Sequence, residues 1–247
     1  LQTVSRGVEL IAVILAAGEG KRLRPLTDEA PKCALRINGE RLIDTQIRMM
    51  RALGIARIVV STGHLTEKIA DIDAEIVVNQ EFSSSNMVWS LRQVFMTLGE
   101  ELAGEELVIS YGDILYSPNI IEKLINSVGF CVVASDENWK SYWSERSEDP
   151  LSDLETMLLE ENNRIVELGS QPDSFEEIEG QYIGLVKISE KAVSTLRDYF
   201  SKWQPDSNLR GKPAKEAYTT DLLAEFISTG KEVIAEKFTD PWIEIDT

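Results

Sequence analysis

Histidine is almost missing from this chain: one residue, His64, in 247. A lone imidazole has no partner for a Ser/His/Asp or Cys/His relay, or for a His-based metal centre, so it is given no role. Cysteine is scarce as well. Cys33 and Cys131 are too few for a disulfide framework and point to a reducing, cytoplasmic setting. Positive charge is in deficit, 25 Lys+Arg against 42 Asp+Glu, which gives a net charge of −17. A body that acidic repels phosphate backbones, which excludes general nucleic-acid binding. Long hydrophobic runs are absent too. The stretch Leu10–Ala17 (LIAVILAA) is too short to span a bilayer and lacks a clearly basic flank before it, so it reads as a buried strand and no membrane partner is expected.

What is present suffices for a sizeable core. The hydrophobic share is 43%, which rules out disorder. Strand-like runs rich in Val and Ile lie at Leu10–Ala16, Arg57–Ser61, Glu75–Asn79, Glu106–Ser110, Phe130–Ala134, Tyr182–Ile188 and Glu232–Ala235. Between them, helical patterns with a period near 3.6 occupy Arg41–Leu53, Met87–Leu98, Pro118–Ser127, Ser189–Phe200 and Lys215–Ser228. This alternation predicts an α/β fold of βαβ units with a single, mainly parallel sheet flanked by helices, in one domain over 1–247. Asn38-Gly39 reads as a hairpin tip. Residues 137–180 break the rhythm, and their polar, aromatic-rich character predicts an insertion over one face of the sheet. The chain opens on Leu1 and stops at Thr247 just after a strand-like run, so trimmed ends, or fusion to another module, are expected, and a homo-oligomer stays open.

The first strand runs into Ala17-Gly18-Glu19-Gly20-Lys21-Arg22. Small residues let backbone N–H groups approach a phosphate, and ligands of such sheets sit at the carboxyl ends of strands. Lys21, Arg22, Arg24 and Lys32 reverse the local sign of an acidic protein. The third glycine of a dinucleotide fingerprint would fall on Leu23, and no Gly-Lys-Ser/Thr follows, so neither familiar phosphate loop is met. A tight turn with surface cations is the plain alternative. Further along, Val108-Ile109-Ser110-Tyr111-Gly112-Asp113 is a strand ending in Gly-Asp, which suits a hard cation such as Mg2+ or, more simply, a turn. In Trp242-Ile243-Glu244-Ile245-Asp246-Thr247 the two acids share one strand face.

The longer string ILAAGEGKRLRPLTDEAPKCAL, Ile14 to Leu35, resembles the signature of nucleotidyltransferases that join a nucleoside triphosphate to a phosphorylated small molecule. Asn79, then Ser85-Asn86-Met87-Val88-Trp89-Ser90-Leu91, Tyr111-Gly112-Asp113 and Trp242 to Thr247 resemble the phosphocholine and phosphonate cytidylyltransferase branch. The resemblance implies a Rossmann-like nucleotidyltransferase sheet and places Leu15, Ala17, Gly18 and Gly20 on the nucleotide, the glycines wrapping its phosphates. It implies that Arg22 grips the β- and γ-phosphates and that Lys32 stabilises charge at the α-phosphate. Asn79, Ser85 and Asn86 would lie beside base and ribose, although Ser85 also fits as a helix N-cap. Asp113 and Asp246 would hold Mg2+, with Glu244 as an understudy. The nucleotide would be CTP, a choice that rests on resemblance alone.

The insertion reads Asp136-x-x-Trp139-x-x-x-Trp143-x-x-Arg146. On a helix, Trp139, Tyr142, Trp143 and Arg146 share a face, and aromatic faces attract an amine. Arg146 suits an acceptor phosphate and Asp136 an amine. The bland alternative is a small core beneath the insertion. Tyr182 belongs to a segment that resembles the family's acceptor-pocket lining, or is an ordinary core strand. The expected activity is a Mg2+-dependent transfer from CTP to a small phosphorylated or phosphonate amine, such as phosphocholine or 2-aminoethylphosphonate, with release of pyrophosphate. The rivals are a sugar-1-phosphate nucleotidyltransferase using another triphosphate, and a non-catalytic nucleotide-binding subunit.

Overall fold

Strands buried on both faces need helices on both sides, and the computed structural model, which describes residues 8–146, 149–204 and 206–246, has that layout. Leu1 and Thr247 lie outside the described residues. The central sheet has seven strands: β1 (Leu10–Ala16), β2 (Arg57–Thr62), β3 (Glu75–Val78), β4 (Glu106–Tyr111), β5 (Cys131–Asp136), β6 (Gln181–Ile188) and β7 (Val233–Phe238). Their order is β7-β5-β6-β4-β1-β2-β3. All pair in parallel except β6, which runs against both neighbours. The mainly parallel sheet expected from the alternation is therefore present.

The helices are α1 (Leu42–Ala52), α2 (Met87–Leu98), α3 (Pro118–Asn126), α4 (Trp139–Arg146), α5 (Glu190–Ser201) and α6 (Thr219–Ser228). Along β1, Ile11, Val13 and Leu15 enter the core formed with α2, α5 and α6. Ala12 and Ile14 enter the opposite core, with α1 and α3. That two-sided burial explains the unbroken apolar run of β1. Among the described residues no helix is long and apolar enough to cross a membrane.

Two turn-rich pieces differ in how well they could be read. Asn38 (φ 52°) and Gly39 (φ 88°) turn the antiparallel pair Arg36–Ile37 and Glu40–Arg41, as expected of Asn-Gly. The insertion holds α4 and an unforeseen hairpin, Met157–Leu159 against Ile165–Leu168. Its turn carries Asn162 (φ 64°) and Asn163 (φ 60°), residues that tolerate the left-handed region. Helix α6 starts four residues later than its periodicity predicts. Ala214–Glu216 is a separate 3-10 turn, and the Asp221 carboxylate accepts from the Tyr218 N–H at 2.8 Å, which fixes the helix start.

After β3 the chain returns to the other side of β1 to form β4, so the strand order reverses there and a crevice opens at the carboxyl ends of β1 and β4. The two ends are drawn together by the Gly112 N–H, which donates to the Leu15 carbonyl at 2.9 Å. A Cβ on Gly112 would lie 2.7 Å from the Ala16 Cβ. Gly112→Ala should therefore cost about 1–3 kcal/mol, a fall in Tm of roughly 2–12 °C, measured by thermal unfolding. An unchanged Tm would show that the contact is not tight.

Candidate active site

Beyond β1 the chain passes through Ala17 to Gly20 into a 3-10 turn, Lys21–Leu23. Gly20 has φ +62°, and a Cβ there would meet Thr27 Cγ2 at 3.0 Å, so glycine is required. The Thr27 hydroxyl donates to the Gly20 carbonyl at 2.8 Å, and His64 Nε2 lies 3.2 Å from the Thr27 carbonyl and donates to it. His64, for which the sequence offered no use, braces the glycine loop from behind. Of the four loop cations, Lys21 pairs with Glu19 at 2.7 Å and Arg24 with Asp28 at 3.5 Å. Arg22 and Lys32 instead turn to the carboxylates at the crevice.

Asp113 follows the close contact at Gly112. The strand Trp242–Glu244 pairs antiparallel with Ile114–Tyr116, and the Ile245 N–H donates to the Asp113 carbonyl at 2.8 Å. This register sets Asp246 opposite Asp113. Lys32 Nζ bridges them, 2.8 Å from Asp113 Oδ2 and 2.7 Å from Asp246 Oδ1, and Arg22 pairs with Asp246. Burial works against the Lys32 ammonium, but Asp113 and Asp246 outweigh it and hold its pKa above the ordinary value. One carboxylate oxygen each from Asp113, Glu244 and Asp246 lies within 4.8 Å of the others. Burial, then repulsion from Asp113 and Asp246, pushes the Glu244 carboxyl up to about 7. Three convergent hard oxygen donors, one of them destabilised by its neighbours' charge, fit a divalent cation such as Mg2+. Asp113 and Asp246 are the pair expected to hold Mg2+, with Glu244 as understudy, and the structure brings all three carboxylates together.

The cavity at this crevice is lined by Leu15, Ala17, Gly18, Gly20, Ser85 and Asn86, all expected at the nucleotide, together with Arg22, Lys32 and Asp113. Phe82, which no motif marked, also lines it, as do Met87 and Ser90, which lie in the motif after Ser85 but were given no role there. Asn79 departs from expectation. It is fully buried and lies behind the wall, where its amide donates to Ser85 Oγ at 2.9 Å and Ser90 Oγ at 3.0 Å. Its geometry is that of a support for Ser85 rather than of a contact to base or ribose. Ser85 is not the N-cap of α2; that place is Asn86, while Ser85 Oγ donates to the Glu81 carbonyl at 2.8 Å.

The acceptor expectation changes more. Trp139 and Trp143 do not offer an open aromatic face. They are 7% and 6% exposed and pack with Leu154 and Ile178 in a small core, where burying indole outweighs leaving it in water. Asp136 is 2% exposed, accepts from Trp242 Nε1 at 3.0 Å and from the Asn138 N–H at 2.8 Å, and is spent on fastening these segments. Arg146 donates to the Tyr142 hydroxyl at 2.8 Å and pairs with Glu244 at 3.4 Å, which places it at the edge of the carboxylate cluster. Tyr182 packs edge to face on Tyr111, with ring centroids 5.9 Å apart, and Tyr111 is itself a wall of the nucleotide cavity. Beyond these rings stands Glu155, which carried no motif signal. Its carboxylate accepts from Thr220 Oγ1 at 3.1 Å.

A Rossmann-like sheet, a glycine loop at its switch point and a cation–carboxylate cluster define a nucleotidyltransferase. The MobA-like NTP transferase domain family matches residues 12–174, and the chain belongs to that family. It is 33% identical over 243 residues to the CTP:phosphoglutamine cytidylyltransferase of Campylobacter jejuni, covering 95% of each chain. It is 33% identical over 129 residues to the choline-phosphate cytidylyltransferase of Streptococcus pneumoniae, covering 51% of this chain and 54% of that one. Among solved structures, the inositol-1-phosphate CTP transferase of T. maritima shares the fold with a TM-score of 0.72 at 22% identity, covering 98% of this chain and 91% of that one.

Burial raises the Glu155 carboxyl above its ordinary value, and nearby Asp221 and Asp153 add to this while Thr220 and Lys212 oppose it. A carboxyl raised on folding favours the folded state at low pH, and that benefit is lost as pH climbs from the ordinary carboxyl range through the raised value. Glu155→Gln keeps an acceptor for Thr220 and removes the charge. Its Tm should exceed that of the parent at pH 8 and converge with it near pH 4, and a variant less stable than the parent at pH 8 would contradict the burial argument.

Proposed function

We propose that this chain is a Mg2+-dependent cytidylyltransferase that joins CTP to a small phosphorylated or phosphonate amine and releases pyrophosphate. The observation that carries the reading is the convergence of Lys32 and Arg22 with Asp113, Glu244 and Asp246 beside the glycine loop. Cytosine as the base is supported by the relatives, whose names specify cytidylyl transfer onto phosphoglutamine, choline phosphate and, at 34% identity over 85 residues, 2-aminoethylphosphonate. Each of those acceptors carries nitrogen and a phosphoryl or phosphonyl group.

In the proposed reaction an acceptor oxygen donates a lone pair to the α-phosphorus of CTP. The bond from that phosphorus to the bridging oxygen breaks, and pyrophosphate leaves with the electron pair. A phosphate monoester, with a second pKa of about 6, is largely dianionic at neutral pH, so the oxygen needs no general base. This agrees with a site whose nearest imidazole, His64, is occupied with the Thr27 carbonyl. Asp113 and Asp246, with Glu244 beside them, would hold a hard divalent cation, whose charge would offset that of the phosphates. Gly18 and Gly20 admit the phosphates to the backbone, Arg22 reaches the outer phosphates, and the Lys32 ammonium offsets charge as it builds at the α-phosphate. Ser85 and Asn86, fixed by Asn79 and by the Glu216 carbonyl at 2.7 Å, set the nucleoside side of the cavity.

Three measurements by pyrophosphate release test this. Asp113→Ala should abolish turnover while thermal unfolding stays cooperative, and near-parental release would remove Asp113 from the cation site. Lys32→Ala should lower kcat by more than about tenfold, whereas an unchanged rate would take Lys32 away from the α-phosphate. Chelation should stop turnover and added Mg2+ restore it, and turnover in excess chelator would refute the metal role. A panel of CTP, UTP, TTP and GTP against phosphorylated amines and sugar 1-phosphates separates this reading from the sugar-nucleotide alternative.

A further inference from the structure

Helix α1 places a glutamine where its neighbours are apolar. Ile43, Ile47 and Met50 turn into the core shared with α3, and Gln46, on the same face, is fully buried beside them. A primary amide taken out of water costs free energy unless its donors and its acceptor are paired. Gln46 pairs them all at one place. Its Nε2 donates to the Tyr111 carbonyl at 2.8 Å and to the Ile114 carbonyl at 2.7 Å, and its Oε1 accepts from the Ser110 hydroxyl at 3.1 Å. These partners fix which way the amide faces, since turning it over would set its oxygen against two carbonyl oxygens. The two carbonyls bracket Gly112-Asp113, the dipeptide between the end of β4 and the strand Ile114–Tyr116. From other directions the Gly112 N–H is tied to the Leu15 carbonyl and the Asp113 carbonyl to the Ile245 N–H. The backbone around Asp113 is thus held at four points, two of them supplied by Gln46, and the Asp113 carboxylate is left to meet Lys32 and the other acids.

We infer that Gln46 is a positioning residue for the divalent-cation site, setting the Asp113 carboxylate where it converges with Glu244 and Asp246. The inference rests on the reading of that cluster as the cation site of the nucleotidyl transfer, and it extends the site to a residue of α1. Among the described residues that line the cavity Gln46 is not one, so it acts through the turn it holds and not by contact with substrate. A plain staple between helix and sheet would serve anywhere along β4. Here both amide donors are spent on the carbonyls to either side of one candidate ligand. Carboxylates that bind a metal depend on the groups that hold them in place, and losing such a support costs about ten- to a hundredfold in metal affinity.

The test is titration of Mn2+, a paramagnetic substitute for Mg2+, onto the protein, with free ion read by electron paramagnetic resonance. Gln46→Met keeps the length of the side chain and removes both donors. It should weaken Mn2+ binding by about ten- to a hundredfold while thermal unfolding stays cooperative. Met50→Ala, four residues along the same buried face, opens a cavity in the same core and should lower Tm while leaving Mn2+ affinity at the parent's value. That contrast separates placement of Asp113 from a general loss of stability. If Gln46→Met does not fold, Ser110→Ala decides, since it frees the amide oxygen alone and should still weaken Mn2+ binding. Parental Mn2+ affinity in Gln46→Met, or in Ser110→Ala where that variant decides, overturns the inference, and so does an equal loss in Met50→Ala. Each of these leaves the cation site itself standing. A parent that binds no Mn2+ overturns the cation-site reading and the inference with it.

Discussion

Three carboxylates held within 4.8 Å of one another repel, and the active-site end of this fold is organised around that repulsion. Like charges drawn out of water are expensive unless opposite charge is brought to them. The chain does this from distant positions: Lys32 from the glycine-loop segment, Asp113 from the end of β4, Asp246 from the last strand pair. The Gly112–Leu15 hydrogen bond and the Ile245–Asp113 hydrogen bond hold the frames that carry these side chains. Burial first, and then the charge of Asp113 and Asp246, push the Glu244 carboxyl up to about 7, against the opposing pull of Arg146 and Lys32. Lys32 and Arg22 are both in contact with Asp246, while Glu244 keeps only the looser Arg146 pair at 3.4 Å.

That arrangement also makes sense of the overall charge. At −17 the protein's long-range field disfavours polyanions. Arg22 and Lys32 act at contact distance, inside a crevice, where screening by water is weaker. The combination suits a single nucleotide tail entering a small cationic cradle and disfavours extended phosphate chains lying across the surface. The same pair of cations is in contact with Asp246, so the cradle is never a bare positive cluster in the absence of ligand.

The sequence was legible where local rules and function coincide. Glycine at the loop, Gly-Asp after a Val-rich strand, and alternating acids in Trp242–Glu244 with Asp246 each carry their meaning within a few residues. The insertion was not legible because its aromatic spacing is satisfied equally by an open cage and by a packed face. What decides between them is Leu154 and Ile178, remote in sequence, which close over Trp139 and Trp143. Asn79 and Ser85 show the same limit on a smaller scale. Both are polar and near a helix start, but only tertiary hydrogen bonds to Ser90 and to the Glu81 carbonyl show which one faces the cavity. Glu155 had no signal at all, since an isolated acid gains significance only from the burial that raises its carboxyl and from its Thr220 partner.

The insertion is nevertheless tied to the chemistry. Asp136, at the end of β5, accepts from the Trp242 indole, and Tyr142 of α4 stacks on that indole and accepts from the Glu244 N–H at 3.0 Å. Arg146 completes the tie through the Glu244 carboxylate. The strand that presents Glu244 is thus clamped by the element lying over the sheet, and the carboxylate cluster inherits its position from α4 as much as from β4. Asp136 and Arg146, read from sequence as acceptor contacts, are in the fold part of the clamp. This division of labour assigns the shape of the carboxylate cluster in part to the insertion.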